Sequence, residues 1–329
     1  MYNKNMNYFG FASAPSNIAL MKYWGKNHYG MPMNPSLSMT LGDLRSFTKV
    51  SISDRKTHEL YINNTEFKID QKLDNFLSKI LNYFKCNNKL KIESVNNFPI
   101  SVGIASSASG YAALTAAIFN FFAKVDTLTE ENLKMMQVFA CNGSKSSVRS
   151  IVNDSQKFVK FENNKITTVP VHEIFSGFWD FVICIDKKVK EISSSDGHSM
   201  ACKSIFNAIR VEYANNNIQL LCESLKCGDF EKVQSLVEND TLLMHAAVAE
   251  NFGGAMYLTQ GSKVIISELI KNRGKHRVIW TCDAGANVHL LFHEEEFNFI
   301  DSFLAYIKDF VAFDLFTNKS FKGISFDRT

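Results

Sequence analysis

Residues 97–110 read Asn97-Phe98-Pro99-Ile100-Ser101-Val102-Gly103-Ile104-Ala105-Ser106-Ser107-Ala108-Ser109-Gly110, and the apolar run 111–122 follows at once. The run predicts a buried helix, so a loop of glycine, serine and other small residues leads into a helix N-terminus. Free backbone N–H groups and the positive end of the helix dipole meet there, and glycine lets the backbone approach an anion closely. The segment predicts either a phosphate-binding loop or a serine-rich turn with a helix N-cap.

The composition of the 329 residues is typical of a globular protein. Hydrophobic residues make up 46% and charged residues 21%, with 36 basic against 33 acidic side chains and a net charge of +3. This balance argues against a nucleic-acid partner, and no apolar run approaches the roughly 20 residues needed to cross a bilayer. Residues 1–10 are polar and carry no signal-peptide core. We therefore expect a cytoplasmic protein that binds neither nucleic acid nor a membrane.

The seven cysteines are odd in number and scattered, without a C-x-x-C pair. This pattern predicts reduced thiols rather than a disulfide framework or a zinc site.

The order of predicted elements indicates an α+β protein with two domains. The first 70 residues contain short β-leaning runs, and residues 70–86 have the apolar spacing of an amphipathic helix. Beyond residue 186 helical patterns dominate, and we predict domains of residues 1–186 and 187–329. The predicted strands are 9–14, 37–41, 48–53, 60–62, 90–95, 158–162, 165–170, 179–185, 278–282 and 288–292. The predicted helices after residue 122 are 131–141, with a capping box at 127–130, then 200–214, 218–227, 230–249, 263–271 with Ser262 as N-cap, and 295–308.

Two lysines flank aromatic residues in the segment Lys22-Tyr23-Trp24-Gly25-Lys26. Lysines four residues apart share one face if the segment is helical, and desolvated ammonium groups bind phosphate or carboxylate. The alternative is a solvated lysine face with aromatic core residues between the lysines.

Hydroxyl and cationic side chains are also concentrated in Gly143-Ser144-Lys145-Ser146-Ser147-Val148-Arg149-Ser150. Arg149 could form a bidentate pair with a carboxylate or phosphate. The alternative is an ordinary polar turn in which Gly143 is a left-handed helix cap.

Two further segments carry candidate site residues. The run 190–198, with Ser193-Ser194-Ser195, precedes a predicted helix and could cap that helix or bind an anion. Asp283 lies in a tight turn between two apolar strands, where its carboxylate could act as a general base or form an Asx turn. We interpret His245, on the 230–249 helix, as a core histidine. Together the serine-rich, cation-bearing loops and the lone carboxylate fit one cleft for a nucleotide and a second anionic substrate.

The residues that carry these signals resemble those of a known family. Pro99 and the run 103–109 resemble the phosphate-binding motif of the GHMP small-molecule kinase superfamily, and within it the chain is similar to the mevalonate diphosphate decarboxylase family. The matching segments are 14–19, 22–26, 34–41, 143–150, 192–197, 244–246 and 283–287.

The resemblance implies a two-domain GHMP-kinase fold, with an N-terminal ribosomal-S5-like domain and a C-terminal α+β (ferredoxin-like) domain. It also implies ATP-dependent decarboxylation of mevalonate 5-diphosphate to isopentenyl diphosphate, ADP, phosphate and CO2, with Mg²⁺ as cofactor and a homodimer as the assembly. Asp283, Lys22 and Arg149 are then the expected catalytic residues. The expected substrate-binding residues are Tyr23, Lys26, Ser144, Ser146, Arg149, Ser194 and Ala284. The expected nucleotide-binding residues are Ser101, Gly103, Ala105, Ser106, Ser107 and Ser109, with Ser106 or Ser107 near Mg²⁺.

Several positions depart from the family pattern, including Lys145, Asn153, His198 and Gly253. Most lie in substrate-facing loops, so three alternatives stay open. The chain could act on mevalonate or its 5-monophosphate, could stop at 3-phosphorylation, or could be a catalytically silent relative that only binds ligand.

Overall fold

The structure is a computed structural model that describes residues 9–99, 106–155, 157–186, 194–251, 257–319 and 322–327. Ser101, Gly103 and Ala105 of the predicted phosphate-binding loop lie outside these residues, as do Ser193 and Gly253. Ser106 begins a helix, but its side chain is outside the described part. Across the described ranges no helix is long and apolar enough to cross a membrane.

The N-terminal half is built on a seven-stranded sheet centred on β2 (Ser36–Ile52). β2 pairs antiparallel with β1 (Gly10–Met21), β5 (Leu90–Asn96) and β6 (Phe158–Glu162). The predicted strands 37–41 and 48–53 form this single strand, because the residues between Leu41 and Arg45 are absorbed as a bulge opposite Pro15 and Ser16. The other strands are β3 (Glu59–Ile62), β4 (Thr65–Phe67) and β7 (Lys165–Thr168), in the order β4-β3-β5-β2-β6-β7.

In the described part of the chain this sheet is accompanied by the helices α1 (Gln71–Tyr83), α2 (Ser106–Ala123) and α3 (Glu130–Gly143). α2 lies directly on β1, and a Cβ at Gly10 would come within 2.2 Å of the Ala117 carbonyl oxygen. Glycine at this position therefore permits the close packing of helix and strand. The N-cap of α3 is Thr129, whose side chain accepts a hydrogen bond from the Asn132 N–H, so the predicted capping box at 127–130 is wrong by two residues.

The C-terminal half contains a four-stranded antiparallel sheet in the order β11-β8-β10-β9. Its strands are β8 (Trp179–Cys184), β9 (Val278–Thr281), β10 (Val288–Phe292) and β11 (Asp314–Lys319). β11 was not predicted because it is a largely exposed edge strand without an apolar alternation.

The described residues of this half contain the helices α4 (Glu173–Ser176), α5 (Ser194–Met200), α6 (Ile205–Cys227), α7 (Phe230–Asn251), α8 (Gln260–Asn272) and α9 (Phe297–Ile307). α6 is one helix where two were predicted, since packing against α7 outweighs the weak helix propensity of Asn215, Asn216 and Asn217. The N-cap of α8 is Thr259 rather than Ser262. These two side chains form a reciprocal capping box.

The four-stranded sheet is covered on both faces because successive side chains point to opposite sides. Phe181 and Ile183 pack with α8 and α9 in one apolar cluster. Val182 packs with α6 and α7 in a second cluster, which also contains Leu37 and Met39 of β2. The two halves of the chain therefore share a core. The domain boundary near residue 186 stays a prediction; β8, which precedes it, pairs with β10 and β11.

Candidate active site

A cavity of about 270 Å³ lies at the junction of the two halves of the chain. Its lining comes from the end of β1, the turn after α3, α5 and the β9–β10 turn. The predicted site residues that line it are Lys22, Tyr23, Lys26, Ser107, Ser144, Ser146, Arg149, Ser194, Asp283 and Ala284. Ser109 does not line it: its side chain is fully buried and shares a 2.7 Å hydrogen bond with Ser46 Oγ, which ties α2 to β2.

Lys22 and Asp283 form the central charged pair of this cavity. The Lys22 Nζ donates to Asp283 Oδ1 at 2.8 Å, and the two side chains are 2% and 22% exposed. The structure thus brings the ammonium from the end of β1 to the carboxylate of the β9–β10 turn. The carboxylate keeps a solvent-accessible part that faces the cavity.

The segment Lys22–Lys26 is not helical, so its two lysines do not share a helix face. β1 ends at Met21, Gly25 adopts a left-handed conformation with φ of 84°, and Lys26 forms an isolated bridge with Pro32. Both lysines nevertheless reach the cavity, because the chain turns around its rim.

Arg149 lies in a short 3₁₀ helix, Ser147–Ser150, and is held by two serines of β2. Its Nε donates to Ser38 Oγ at 2.6 Å and its Nη1 to Ser36 Oγ at 2.7 Å. Burial lowers the pKa of Arg149 to about 10, opposed by the charges of Asp283 and Tyr23, so the guanidinium stays charged at neutral pH. Neither serine was predicted as a site residue. Their spacing of two residues, which places both on one face of a strand, was the available signal.

Cationic side chains dominate the cavity. Lys22, Lys26, Lys72, Lys145 and Arg149 line it against one carboxylate, Asp283, within the described part of the chain. Burial lowers the pKa of Lys26, with a further contribution from Lys145, and it lowers the pKa of Lys72, with a further contribution from Lys26. Crowded, partly desolvated ammonium groups favour an anionic ligand. Lys72 was missed because a lysine on an amphipathic helix predicts only a solvated face.

Three rings line one side of the cavity. His198 stacks on Tyr23 with ring centroids 4.4 Å apart and contacts Trp24 in a tilted arrangement at 4.6 Å. Its Nδ1 accepts a hydrogen bond from the Gly25 N–H at 3.1 Å. Burial, helped by the charges of Lys26 and Arg210, lowers the pKa of His198 to about 3. The imidazole is therefore neutral at physiological pH and carries its proton on Nε2. Burial also raises the pKa of Tyr23, which keeps that hydroxyl protonated.

The turn after α3 places two hydroxyl groups side by side. Ser144 Oγ and Ser146 Oγ are 2.9 Å apart, and both side chains line the cavity. Gly143 is not a left-handed cap, since its φ is not positive. Glycine is required there because a Cβ would lie 2.1 Å from the Tyr111 ring. His245, 2% exposed on α7, lies in the core as predicted.

A second, mainly apolar cavity of about 350 Å³ adjoins the first through Ser107, which lines both. It lies between β3, β5 and the first turns of α2. Its lining includes Leu60, Ile62, Phe67, Leu73, Ile92, Tyr111 and Leu114. The N-terminal end of α2 therefore separates a cationic cavity from an apolar one.

Family models match both halves of the chain. The model of the diphosphomevalonate decarboxylase-like N-terminal domain matches residues 14–168, and that of the mevalonate 5-diphosphate decarboxylase C-terminal domain matches residues 181–327. A similar curated protein is the diphosphomevalonate decarboxylase of Gibberella zeae, 28% identical over 327 residues, which cover 89% of this chain and 83% of that protein.

Solved structures agree over nearly the whole chain. The mevalonate diphosphate decarboxylase from Enterococcus faecalis superposes with a TM-score of 0.84 at 27% identity, covering 97% of this chain and 98% of that one. A structure described as MDDEF in complex with MVAPP, AMPPCP and magnesium gives 0.85 at 27% identity, with the same coverage.

The fold and the cationic cavity beside the N-terminal end of α2 define a protein with the fold of the GHMP small-molecule kinases. Within that class the chain belongs to the mevalonate diphosphate decarboxylase family, as the two domain models and the curated relatives show. The predictions of family and fold class are confirmed.

Proposed function

We propose that this chain catalyses the ATP-dependent decarboxylation of mevalonate 5-diphosphate to isopentenyl diphosphate, ADP, phosphate and CO2. The observation that carries the proposal is the Lys22–Asp283 pair at 2.8 Å, which faces a cavity lined by four further cations in the described part of the chain. A single carboxylate among cations suits a reaction that removes one proton from an otherwise strongly anionic substrate.

In this proposal Asp283 orients the tertiary 3-hydroxyl and accepts its proton as that oxygen gains a phosphoryl group. Phosphorylation turns a poor leaving group into a good one. Departure of phosphate then leaves cationic character at C3, and the electron pair of the breaking bond to the carboxylate forms the new double bond as CO2 leaves. Lys22 neutralises the charge beside the reacting oxygen.

Arg149 is assigned to the substrate carboxylate. Ser36 and Ser38 hold its Nη1 and Nε, which fixes the plane of the guanidinium before substrate arrives. Such preorganisation stabilises a charged group without reorganisation during the reaction.

The diphosphate of the substrate is assigned to the cationic wall formed by Lys26 and Lys72, with hydroxyl donors from Tyr23, Ser144, Ser146 and Ser194; Ala284 lines the same space. His198 adds a neutral Nε2–H donor rather than a charge, since its other nitrogen is occupied by the Gly25 N–H. These residues supply hydrogen bonds and charge together, as phosphate binding requires.

ATP is assigned to the two adjoining cavities, with its base in the apolar one and its phosphates beside Ser107. Ser101, Gly103, Ala105 and Ser106 remain predictions for the loop that wraps the phosphates. Mg²⁺ would be held by phosphate oxygens together with one or two hydroxyls such as Ser106 or Ser107. When bound, Mg²⁺ neutralises phosphate charge.

The test is a turnover assay with ATP, Mg²⁺ and mevalonate, its 5-phosphate or its 5-diphosphate. We expect CO2 and phosphate in equal amounts with the 5-diphosphate. We expect Asp283→Ala to lower the rate about 10²- to 10⁴-fold while substrate still binds. The exposed carboxylate of Asp301 on α9 gives the matched control, Asp301→Ala, with an unchanged rate.

Three results would contradict all or part of the proposal. A stable 3-phosphate that accumulates without CO2 identifies a kinase, and binding without ATP consumption identifies a silent relative. Near-normal turnover by Asp283→Ala removes this carboxylate from the mechanism.

A homodimer and a cytoplasmic location also belong to the proposal. Exposed apolar side chains on the first turns of α6, Ile205, Phe206 and Ile209, favour a protein contact there. Light scattering of the purified protein at several concentrations tests the dimer.

A further inference from the structure

We propose that a buried ion pair between Arg210 on α6 and Asp240 on α7 positions Lys22 for the reaction. Neither residue lines the cavity, so both act through Lys22. The inference rests on the proposed function of Lys22. It assigns to two helices of the C-terminal half the task of placing a catalytic group from the N-terminal half.

Arg210 and Asp240 hold both backbone polar groups of Lys22. Asp240 Oδ2 accepts the Lys22 N–H at 2.6 Å, and Arg210 Nη2 donates to the Lys22 carbonyl oxygen. The two side chains also contact each other, with Arg210 Nη2 3.0 Å from Asp240 Oδ1, and both are fully buried.

Asn34 links Lys22 and Arg210 through its side-chain amide. Its Nδ2 donates to the Lys22 carbonyl at 2.9 Å, and its Oδ1 accepts from Arg210 Nη1 at 3.1 Å. Lys22 follows the last residue of β1, where its backbone groups leave the strand. The ring of contacts therefore replaces strand pairing at the point where the chain enters the active site.

The same turn of α7 also reaches the other catalytic group. Thr241 follows Asp240, and its Oγ1 lies 2.9 Å from Thr281 Oγ1 at the end of β9, two residues before Asp283. One helix turn thus holds the chain on both sides of the Lys22–Asp283 pair. Buried ion pairs add little net stability because removing the two charges from water is costly. We therefore infer that this pair positions Lys22.

The test is a double-mutant cycle between Asp240→Asn and Lys22→Met. We expect Asp240→Asn to lower kcat about 10- to 100-fold with little change in substrate KM, because displaced catalytic groups lose rate before binding. In the double variant, Asp240→Asn should lower kcat little beyond the loss caused by Lys22→Met, because each change alone removes the correctly positioned ammonium group of Lys22.

The matched control is Glu238→Gln, two residues earlier on α7. Glu238 pairs with Arg273 at 2.5 Å and does not hold the backbone of Lys22, so its loss should lower stability and leave kcat unchanged. Fully additive effects of Asp240→Asn and Lys22→Met, or an equal fall in kcat for Glu238→Gln, would overturn the inference.

A second measurement does not depend on turnover or on one variant folding. Reductive methylation of Lys22, compared with Lys26 in the same sample, should accelerate in Asp240→Asn and in the charge-free pair Arg210→Met/Asp240→Leu. General unfolding would raise the methylation rates of both lysines together. An unchanged methylation rate of Lys22 in these variants would contradict the inference. If the unmodified protein releases no CO2 from any mevalonate, the proposed function fails, and the methylation result still decides whether the ion pair places Lys22.

Discussion

At the residue scale, His198 shows how burial sets a charge state inside a cationic cavity. Its ring stacks on Tyr23 and contacts Trp24, and burial lowers its pKa to about 3 from an ordinary value of 6.5. A protonated imidazole there would add to the repulsion among Lys26, Lys72 and Arg149. The neutral form supplies a hydrogen-bond donor instead.

This shift predicts a specific pH dependence of stability. Above pH 6.5 His198 is neutral in both folded and unfolded chains. Below it the unfolded chain binds a proton that the folded chain does not, so stability falls toward pH 3. The loss is about 1.4 kcal/mol per pH unit. Urea unfolding at pH 7 and pH 5 should therefore show a fall about 2 kcal/mol larger for the unmodified protein than for His198→Gln. The exposed His28 gives the control, His28→Gln. Equal pH dependence of the protein and its His198→Gln variant would contradict the assignment.

At the element scale, the end of α3 packs closely against α2 because Gly143 has no side chain. Gly143 packs on the Tyr111 ring, which Phe76 contacts edge-on at 5.3 Å and Lys72 approaches to 5.1 Å. The ring is confined on several sides. The position of the Ser144–Ser146 turn therefore depends on the contact between these two helices.

Gly143→Ala should move the turn away from α2. We expect a loss of about 1–3 kcal/mol in unfolding free energy, typical of overpacking, and a higher substrate KM as Ser144, Ser146 and Lys72 shift. For stability the control is Gly110→Ala on α2, where a Cβ meets no atom within 4 Å and helix propensity predicts a small gain. Urea unfolding and steady-state kinetics measure the two effects. If Gly143→Ala were as stable as Gly110→Ala, the Tyr111 ring would move aside without loss of stability, which would contradict the prediction.

At the scale of the whole molecule, the C-terminal segment returns to the N-terminal half. Ser325 forms a bridge with Ser13 on β1, and Ile324 joins the apolar cluster of α1 and α2. Arg45 on β2 fastens this segment: its Nη2 donates to the Gly323 carbonyl at 2.7 Å and its Nη1 to the Lys322 carbonyl at 3.2 Å. Burial lowers the pKa of Arg45 to about 10, and the group stays charged at neutral pH.

Arg45→Met should release the segment from β1. The buried carbonyls of Ser13 and Gly42 also lose a donor, so we expect a fall of about 2–4 kcal/mol in unfolding free energy. Arg55→Met is the control, since Arg55 is 53% exposed and its carboxylate partners are the exposed Glu66 and the buried Glu59. Its effect should be much smaller. Denaturant unfolding compares the two, and equal losses would show that Arg45 does not anchor the segment.

Much of the fold and of the site could be predicted from short stretches of sequence. Strand and helix patterns located most elements, and the runs containing Lys22, Arg149 and Asp283 identified residues that meet in one cavity. The wrong or missing predictions concern single elements. The cap of α3, the unbroken α6 and the edge strand β11 depend on packing that residue preference does not contain.

The sequence by itself determined which chemical groups are present and which segments place them in loops, because backbone preference and local patterning act between near neighbours. Only the tertiary structure decided which groups meet. Lys22 and Asp283 are 261 residues apart, and Ser36 and Ser38 reach Arg149 across more than 100 residues. The Arg210–Asp240 pair around Lys22 had no local signal at all. Contacts of this kind depend on how the sheets and helices pack, since burial and charge pairing are properties of the assembled core.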